Sequence, residues 1–435
     1  MDTLLKLFSG ATFKAGLIGF LTLLLLIPIE MVQSLIRERK YNSFLVEQEI
    51  ISKWGNPQTL TGPVIVVPFT YTVIEGKEPK TMCEEAYFLP EELSIKAEMQ
   101  PEIRYRSIYQ VAVYQSDISV SGKFKRPDFN KLNVAPSSID WENAFVCIGL
   151  SDMRGVRNNI NLNWNNTALE VNPGADTRII ESGIHAKIPL NQQTDIYNFD
   201  FKVNLNGSLS MSFIPAGKTT EVEVSAPWAS PKFSGAFIPD SRTINADETE
   251  GFVANWKVYN YNRNFPQEWS GKQYSIDDSK FGVDLLIPVD HYQKSERSIK
   301  YAIIFIALTF FVFFLVEIIS GKRIHPLQYL LVSIGLILFY SLLLALSERL
   351  GFNIAYLLSS IAITALITSY SQSIFKEKKQ TLMMGTFLVI LYAFLYSVLQ
   401  LEDLALLIGS IGLFIALAVI MYVSRKIDWY KQSEK

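Results

Sequence analysis

The side chains best suited to catalysis are few in this sequence, and their spacing matches none of the common catalytic motifs. The three histidines are His185, His291 and His325. None of them belongs to an H-E-x-x-H pattern, which places two zinc ligands on one helix face. Phosphate-binding, serine-hydrolase and dinucleotide-binding motifs are also absent, since Gly217-Lys218-Thr219 has Ser212 where a phosphate-binding loop needs its first glycine. The sequence therefore predicts no metal centre, no cofactor and no catalytic residue.

Two acidic residues, Glu30 and Glu317, lie within long apolar runs. An ionisable group inside a membrane is unfavourable enough to mark a functional candidate. Glu317 precedes Lys322, Arg323 and His325, so we expect its carboxylate to reach the cytoplasmic interface and pair there. We favour this structural role over proton-coupled transport, which usually uses several buried acids or a helix broken near the midplane.

The overall composition is that of a membrane protein with one large soluble domain. The chain of 435 residues is 49% hydrophobic and 19% charged, with a net charge of −2, which excludes a disordered or nucleic-acid-binding protein. Six apolar runs reach the roughly 20 residues that a helix needs to cross a bilayer. They are 15–36, 301–319, 327–346, 352–375, 381–399 and 404–424. The first lacks the small residues of a signal-peptidase site, so we expect an uncleaved anchor.

The short loops predict the orientation of these crossings, because Lys and Arg are retained on the cytoplasmic side. With both termini inside, eleven basic residues lie on the cytoplasmic side and one, Arg349, lies on the other. The eleven are Lys6, Lys14, Lys322, Arg323, Lys376, Lys378, Lys379, Arg425, Lys426, Lys431 and Lys435. Basic clusters at 37–40 and 294–300 flank a long translocated domain, where this rule is weak.

These assignments divide the chain into four regions. We predict a cytoplasmic N-terminus with the first transmembrane helix at 1–36 and an extracytoplasmic domain at 37–300. A five-helix transmembrane block follows at 301–424, and a cytoplasmic tail at 425–435. The expected location is a membrane, with the bilayer itself as one partner.

The predicted extracytoplasmic domain has the pattern of a β-protein. Apolar and polar residues alternate in 111–124 and 199–213, and frequent prolines exclude long helices beyond about residue 54. Residues 37–54 are helix-like and extend the first membrane helix outward. The fold class is therefore a β-rich, sandwich-like domain on a helical stalk, together with six transmembrane helices.

One hairpin in this domain can be predicted in detail. Phe199, Phe201 and Val203 alternate with polar residues, and a second alternating run begins at Leu209, after Asn206-Gly207. A three-residue loop of Leu205, Asn206 and Gly207 places both apolar rows on one face, whereas a two-residue loop separates them. We therefore expect Val203 to pair with Leu209.

Two cysteines, Cys83 and Cys147, fall in the predicted extracytoplasmic domain. In an oxidising compartment they can form a disulfide that closes a loop of about 65 residues. Two buried free thiols are the alternative, and the sequence leaves both open.

Several ordered motifs resemble the CreD family of bacterial inner-membrane proteins. In the membrane region they are Lys300-Tyr301, Leu308-Thr309-Phe310, Glu317, His325-Pro326, Gln328-Tyr329, Phe339-Tyr340, Leu346-Ser347-Glu348 and Gly351-Phe352. In the soluble domain they are Gly62-Pro63 with Pro68, Asp152 with Arg154-Gly155, and the run Trp228, Pro231, Phe233, Gly235, Phe237 and Pro239. The resemblance extends from the first helix to Ile427-Asp428-Trp429-Tyr430.

The resemblance implies an inner-membrane protein with a periplasmic domain. It links the chain to envelope stress, a two-component regulatory system and altered tolerance of β-lactams or colicins, but it brings no catalytic residues. We expect His325-Pro326 and Gln328 to shape a tight turn between the second and third crossings, and the Trp228 run to form a β-corner with buried aromatic rings. The candidate binding residues are Trp228, Phe233, Phe237, Glu317, His325 and Gln328.

We infer a non-catalytic protein whose periplasmic domain binds an envelope component and so supports envelope integrity. The component can be peptidoglycan, a lipid or another envelope protein. A membrane enzyme with carboxylates in a cleft near the bilayer and a transporter formed by the C-terminal helices are the two alternatives.

Overall fold

The computed structural model describes residues 11–75, 78–132, 134–135, 138–191, 193–245, 251–271, 273–287, 291–320, 324–401 and 404–425. The chain divides into two compact units, a β-rich unit between Leu45 and Pro288 and a helical unit from the segments on either side of it. These limits describe packing, whereas the predicted limits at 36 and 300 describe where the chain meets the membrane.

Eight α-helices are present in the described part of the chain. They are α1 (Ala11–Leu24), α2 (Leu26–Trp54), α3 (His291–Lys300), α4 (Ala302–Ser320), α5 (Pro326–Leu350), α6 (Phe352–Phe375), α7 (Lys378–Gln400) and α8 (Ala405–Ser424). Hydrogen bonds continue across Leu25 between α1 and α2, from Leu25 N to Leu21 O and from Ile29 N to Leu25 O. The predicted helix over 37–54 is therefore confirmed as the continuation of the first apolar helix.

The described residues contain fewer candidate membrane spans than the six that the sequence predicts. Four helices are long and apolar enough to span a membrane, namely Gly16–Trp54, Pro326–Leu350, Phe352–Phe375 and Lys378–Gln400. A fifth span arises if α3 and α4, bent by 45° at Tyr301, count as one. The apolar part of the last helix, Leu407–Tyr422, is shorter than 18 residues, so six spans are not confirmed among the described residues.

Seventeen β-strands make up most of the β-rich unit, counted over its described residues. They are β1 (Gln58–Glu75), β2 (Glu78–Phe88), β3 (Glu92–Arg106), β4 (Tyr109–Lys125), β5 (Phe145–Leu150), β6 (Asn161–Trp164), β7 (Thr167–Leu169), β8 (Asn172–Pro173), β9 (Gly183–Lys187), β10 (Ile196–Ser208), β11 (Ser210–Ile214), β12 (Thr219–Ala226), β13 (Pro231–Gly235), β14 (Ser241–Ile244), β15 (Phe252–Tyr259), β16 (Glu268–Ser270) and β17 (Phe281–Leu285).

The strands form two sheets. The first has the order β13-β17-β11-β1-β5-β9-β8, with β2 beside β1 and β16 beside β2. The second has the order β14-β15-β12-β3-β4-β10-β6-β7. Burial alternates residue by residue along β3, β10 and β15, as expected for strands with one face on a core. Buried side chains of both sheets belong to one contiguous hydrophobic core, which is the arrangement of a sandwich.

The predicted hairpin at Asn206-Gly207 is wrong. Strand β10 runs straight through these residues and pairs with β4 as far as Ser208 opposite Val113. The chain turns at Leu209, which has φ +62°, and β11 then enters the other sheet between β1 and β17. Gly207 is required for space, since a Cβ there would lie 2.3 Å from the hydroxyl oxygen of Tyr114. The first apolar row and, from the second, Met211 and Phe213 still face the shared core, whereas Leu209 packs on a small separate cluster.

Candidate functional site

The three aromatic candidates of the β-rich unit are half-buried and pack on its core. The indole nitrogen of Trp228 donates to the carbonyl oxygen of Leu286 at 3.1 Å. Phe233 lies edge-on to Trp256, with ring centroids 5.7 Å apart, and Phe237 lies edge-on to Phe281 at the same distance. The structure therefore brings Phe233 and Phe237 to one aromatic cluster, where most of their ring area is already used in packing.

The other three candidates meet at the turn between α4 and α5. His325 caps α5, because its Nδ1 accepts from Leu327 N at 3.3 Å and its own N–H donates to Gln328 Oε1 at 3.0 Å. Pro326 occupies the first helical position, where a backbone N–H would have no intrahelical partner, so the lack of one in proline costs no helical hydrogen bond. The expectation that this motif shapes a tight turn agrees with this reciprocal cap.

Glu317 closes the same turn from α4. Its carboxylate accepts from Ile324 N and from the Tyr329 hydroxyl, each at 3.0 Å, and the residue is 6% exposed. The two basic partners expected from sequence, Lys322 and Arg323, lie outside the described residues. The carboxylate is therefore buried beside a tyrosine, and its pairing with the basic residues at the interface stays a prediction.

A second polar cluster joins the end of α2 to both sheets, and we call it the clamp. It consists of Asn56, Gln58, Asp152, Arg154 and the main chain of Asn206. The Asp152 carboxylate is 6% exposed and accepts from Asn56 N at 2.9 Å and from Arg154 Nε and Nη2 at 2.9 Å each. Gln58 Nε2 donates to the carbonyl oxygens of Asp152 and Asn206, both at 3.0 Å.

The electrostatics of the clamp favour an ionised Asp152. Hydrogen bonds from the Arg154 guanidinium lower the pKa of the Asp152 carboxyl, whereas burial acts to raise it. The same guanidinium donates to the carbonyl oxygen of Ser52 at 3.1 Å, near the C-terminal end of α2. Gly155 has no space for a side chain, since a Cβ would lie 2.3 Å from Asn206 O. This motif therefore fixes the helix end against the sheets.

The two cysteines are free thiols, which corrects the possible disulfide between Cys83 and Cys147. Cys83 pairs with Thr70 of β1, whereas Cys147 pairs with Val64 of the same strand. Six residues of strand separate these positions by about 20 Å, while a disulfide needs Cα atoms within about 7 Å. Cys83 is exposed, and burial raises the pKa of the Cys147 thiol to about 12.

The hairpin of β1 and β2 extends beyond its neighbours. The two strands pair without a break from Ile65 opposite Phe88 to Glu75 opposite Glu78. On the outer sides, β5 pairs with β1 as far as Val66 and β16 pairs with β2 from Ala86. Past an isolated bridge between Phe69 and Ile139, residues 70–75 and 78–83 form a two-stranded segment among the described residues, which we call the ribbon.

The two edges of the ribbon differ. Pro68 O accepts from Asp140 N at 2.9 Å on the side away from β2. Because main-chain groups alternate in direction along a strand, Thr72 and Ile74 direct their N–H and C=O groups to that same side. On β2, Glu85 O accepts from Gly271 N on the side away from β1. Pro79 is an even number of residues from Glu85, so it faces this same β2 edge, where it supplies no N–H. The β1 edge is therefore complete, whereas the β2 edge is interrupted by proline.

A cleft of about 600 Å³ lies beside the ribbon. Its lining includes Thr70, Tyr71 and Thr72 of β1, the loop residues Leu132, Val134, Ala135 and Ser138, and Glu84, Ser270 and Gly271 from the β2 side. Four apolar side chains of the ribbon are exposed: Tyr71, Val73, Ile74 and Met82. The combination of a cleft, exposed apolar side chains and an open strand edge is typical of a surface that binds an extended peptide.

Sequence reasoning missed the partners that complete these sites. Tyr329 belongs to the Gln328-Tyr329 motif, but its contact with Glu317 depends on how the chain folds between α4 and α5. Gln58 gave no signal, because its partners Asp152 and Asn206 lie far along the chain. Pro79 is the one residue from which the ribbon could have been predicted, since a proline inside a strand indicates that the strand lies at the edge of a sheet. Among the described residues, no group of three or more His, Cys, Asp or Glu side chains is placed to hold a metal ion.

Comparison with known proteins assigns the family. The sequence profile of the family described as "Inner membrane protein CreD" matches residues 10–430. The inner membrane protein CreD of Escherichia coli (strain K12) is 34% identical over 415 residues, which cover 94% of this chain and 91% of that protein. The match includes the turn of Glu317 and His325, the clamp and the ribbon. The chain therefore belongs to the CreD family of inner membrane proteins.

Proposed function

We propose that this inner-membrane protein supports the cell envelope without catalysing a reaction, by binding an extended segment of an envelope protein at the β1 edge of the ribbon. The observation that carries the proposal is the edge at Thr72 and Ile74, which pairs with no other strand among the described residues and lies beside the cleft. In this account the β-rich unit lies in the periplasm, as the distribution of basic residues in the short loops predicts.

The contacts of the polar side chains support a non-catalytic role. The Asp152 carboxylate receives four hydrogen bonds within the clamp. Both carboxylate oxygens of Glu317 are bonded within its turn. A catalytic acid or base needs a position from which it can reach a substrate proton, whereas these groups are bonded to the protein itself. Their chemistry stabilises the fold.

An extended polypeptide suits the edge better than a glycan or a lipid does. An added strand pairs its own N–H and C=O groups with those of the edge at every second residue. Here Thr72 and Ile74 offer that spacing, and the exposed side chains of Tyr71 and Val73 offer apolar contacts on the other face. Native proteins usually protect such an edge with charge, proline or a covering loop. The β2 edge has this protection at Pro79, whereas the described part of the chain places no proline and no covering strand at Thr72 and Ile74.

The substitution Thr72→Pro tests the proposal. The N–H of Thr72 faces the open side, so proline removes a donor from the edge while the β1–β2 ladder is kept. Pro68 faces the same side of β1 and already pairs with Glu85 of β2. Losing one main-chain contact and adding a ring should weaken binding about tenfold or more. The measurement is complementation of a strain that lacks its own copy of the gene, scored as survival on detergent and on a β-lactam.

Thr81→Pro is the matched control. Thr81 pairs directly with Thr72 but faces the opposite edge. We expect Thr81→Pro to complement fully and Thr72→Pro to fail, at equal amounts of protein in the membrane. Full complementation by Thr72→Pro would show that the edge is not the binding surface.

A further inference from the structure

An open groove runs along one side of α6 and α7 in the helical unit. Its volume is about 1030 Å³, and its lining extends from Asn353 to Thr368 on α6 and from Leu382 to Tyr396 on α7. At a rise of about 1.5 Å per residue the groove is roughly 22 Å long. One leaflet of a bilayer is roughly 15 Å deep, so the groove exceeds the depth of a leaflet.

The groove is lined by small side chains, which we call the floor, and by large side chains along its margins, which we call the rims. Small and hydroxyl side chains form the floor, with Ser360, Thr364 and Gly385 buried or half-buried and Ala365, Thr386 and Ala393 exposed. The helices approach closely at Gly385, where a Cβ would lie 3.0 Å from Thr368 Oγ1. The rims are large aliphatic side chains that are all strongly exposed: Ile354, Leu357, Ile361, Leu382, Val389 and Ile390.

This shape fits a narrow chain better than a second helix. A helix with its side chains is about 10–12 Å across, and membrane helices pack closely where small residues form the contacting surface. A helix approaching this groove would meet the large rim residues before the small residues of the floor. A flexible hydrocarbon chain passes between the rims and contacts the floor along its length.

One end of the groove carries polar groups and a positive charge. Asn353 lies at this end, and its side-chain carbonyl accepts from Gln400 Nε2 at 2.7 Å. The ammonium of Lys294 donates to Gln400 Oε1 at 3.2 Å and lies 5.6 Å from the ring centroid of Phe352. Lys294 forms no ion pair within the described residues, so its charge is not neutralised there by a carboxylate.

We propose that this groove binds an acyl chain of a glycerophospholipid, with the lipid phosphate at the Asn353 end beside Lys294. The apolar lining holds the chain, and the ammonium together with the amide of Asn353 supplies the charge and the donors that a phosphate needs. In the predicted topology this end faces the outer leaflet. The inference is independent of the peptide-binding proposal, because it uses other residues in the other unit.

Native mass spectrometry of the full-length protein, released from a mild detergent, tests the inference. We expect the wild-type protein to retain one phospholipid. Filling the floor with Ala365→Leu and Ala393→Leu should reduce the retained fraction at least fivefold. Lys294→Gln should reduce it about fivefold, the effect expected for one cation near lipid phosphate, while Lys294→Arg should keep it.

Ala362→Leu is the control for the floor substitutions, because Ala362 is exposed on α6 outside the groove lining. It should retain lipid as the wild type does, and all variants should show the same helical content by circular dichroism. Unchanged retention in the floor variants would overturn the inference. A retained molecule without phosphorus, or a dimer that the floor variants dissociate, would overturn it equally.

Discussion

Asp152 shows, at the scale of single residues, how a charged motif serves the fold. Its carboxylate is buried, while the Arg154 side chain is 60% exposed. Solvent therefore screens the charge attraction, and the hydrogen bonds carry most of the stabilisation. The pairing also explains why Asp, Arg and Gly stand together here: the acid binds the end of α2, and the glycine permits the approach of Asn206.

Asp152→Asn should lower the free energy of unfolding of the β-rich unit by about 2–3 kcal/mol, because charge-assisted hydrogen bonds are lost from a buried site. The measurement is urea unfolding of the full-length protein in detergent, followed by hydrogen exchange of β1 amides. Asp195→Asn, at an exposed position, should change stability by less than about 0.5 kcal/mol.

The pH dependence of this difference has a defined sign. Because the folded pKa of Asp152 is lowered, its stabilisation is present in full above the unfolded pKa of about 3.9. It is lost as the pH falls through the lower pKa of the folded carboxyl. The wild-type protein and Asp152→Asn should therefore differ most near neutral pH and converge in strong acid. A constant difference across this range would contradict the assignment.

At the scale of elements, Gly207 shows what local patterns leave out. Asn-Gly between two alternating runs is a strong hairpin signal, and the alternation was correct, since Phe199, Phe201 and Val203 are buried. The glycine, however, makes space for Tyr114, a contact 93 residues away in sequence. Strand existence and burial were predictable from local periodicity, whereas strand pairing depends on contacts that no local pattern encodes.

Gly207→Ala should destabilise the β-rich unit by about 1–3 kcal/mol, the usual effect of overpacking a core. The added methyl group would overlap the Tyr114 ring, which is fully buried. Thermal unfolding of the full-length protein measures the change. Asn198→Ala, at an exposed position of the same strand, should be nearly neutral, and an equally small effect of Gly207→Ala would contradict the close approach to Tyr114.

The same contrast holds for the candidate site. The local role of His325, Pro326 and Gln328 was predictable, because these residues are near neighbours in the sequence, whereas the contact of Glu317 with Tyr329 was not. The clamp and the ribbon edge were not, because Asp152 meets Asn56 and Gln58 across more than 90 residues, and an open edge is defined by strands that are missing beside it. Resemblance to a family marked Asp152, Arg154 and Gly155 without indicating what they contact.

At the scale of the whole molecule, the two units allow a direct test of topology. Cys83 is exposed on β2, whereas Cys147 is buried. If the β-rich unit lies in the periplasm, a membrane-impermeant maleimide should label wild-type protein in intact spheroplasts at Cys83 alone. Burial and the raised pKa of Cys147 leave its thiolate too scarce to react.

A second cysteine position completes the topology test. In a Cys83→Ser background, Glu377→Cys in the link between α6 and α7 should remain unlabelled until the membrane is opened. Labelling of Glu377→Cys in intact spheroplasts, or protection of Cys83, would contradict the predicted orientation.

The central claim is that an envelope polypeptide adds to the sheet at the β1 edge. The most direct measurement is photocrosslinking in intact cells from position 72 and, separately, from position 74, with the captured residues mapped by mass spectrometry. The account predicts that both positions capture one segment of one protein, at residues two apart, and that position 81 does not capture it. Capture of glycan or lipid, or of unrelated polypeptide positions from 72 and 74, would contradict strand addition at this edge.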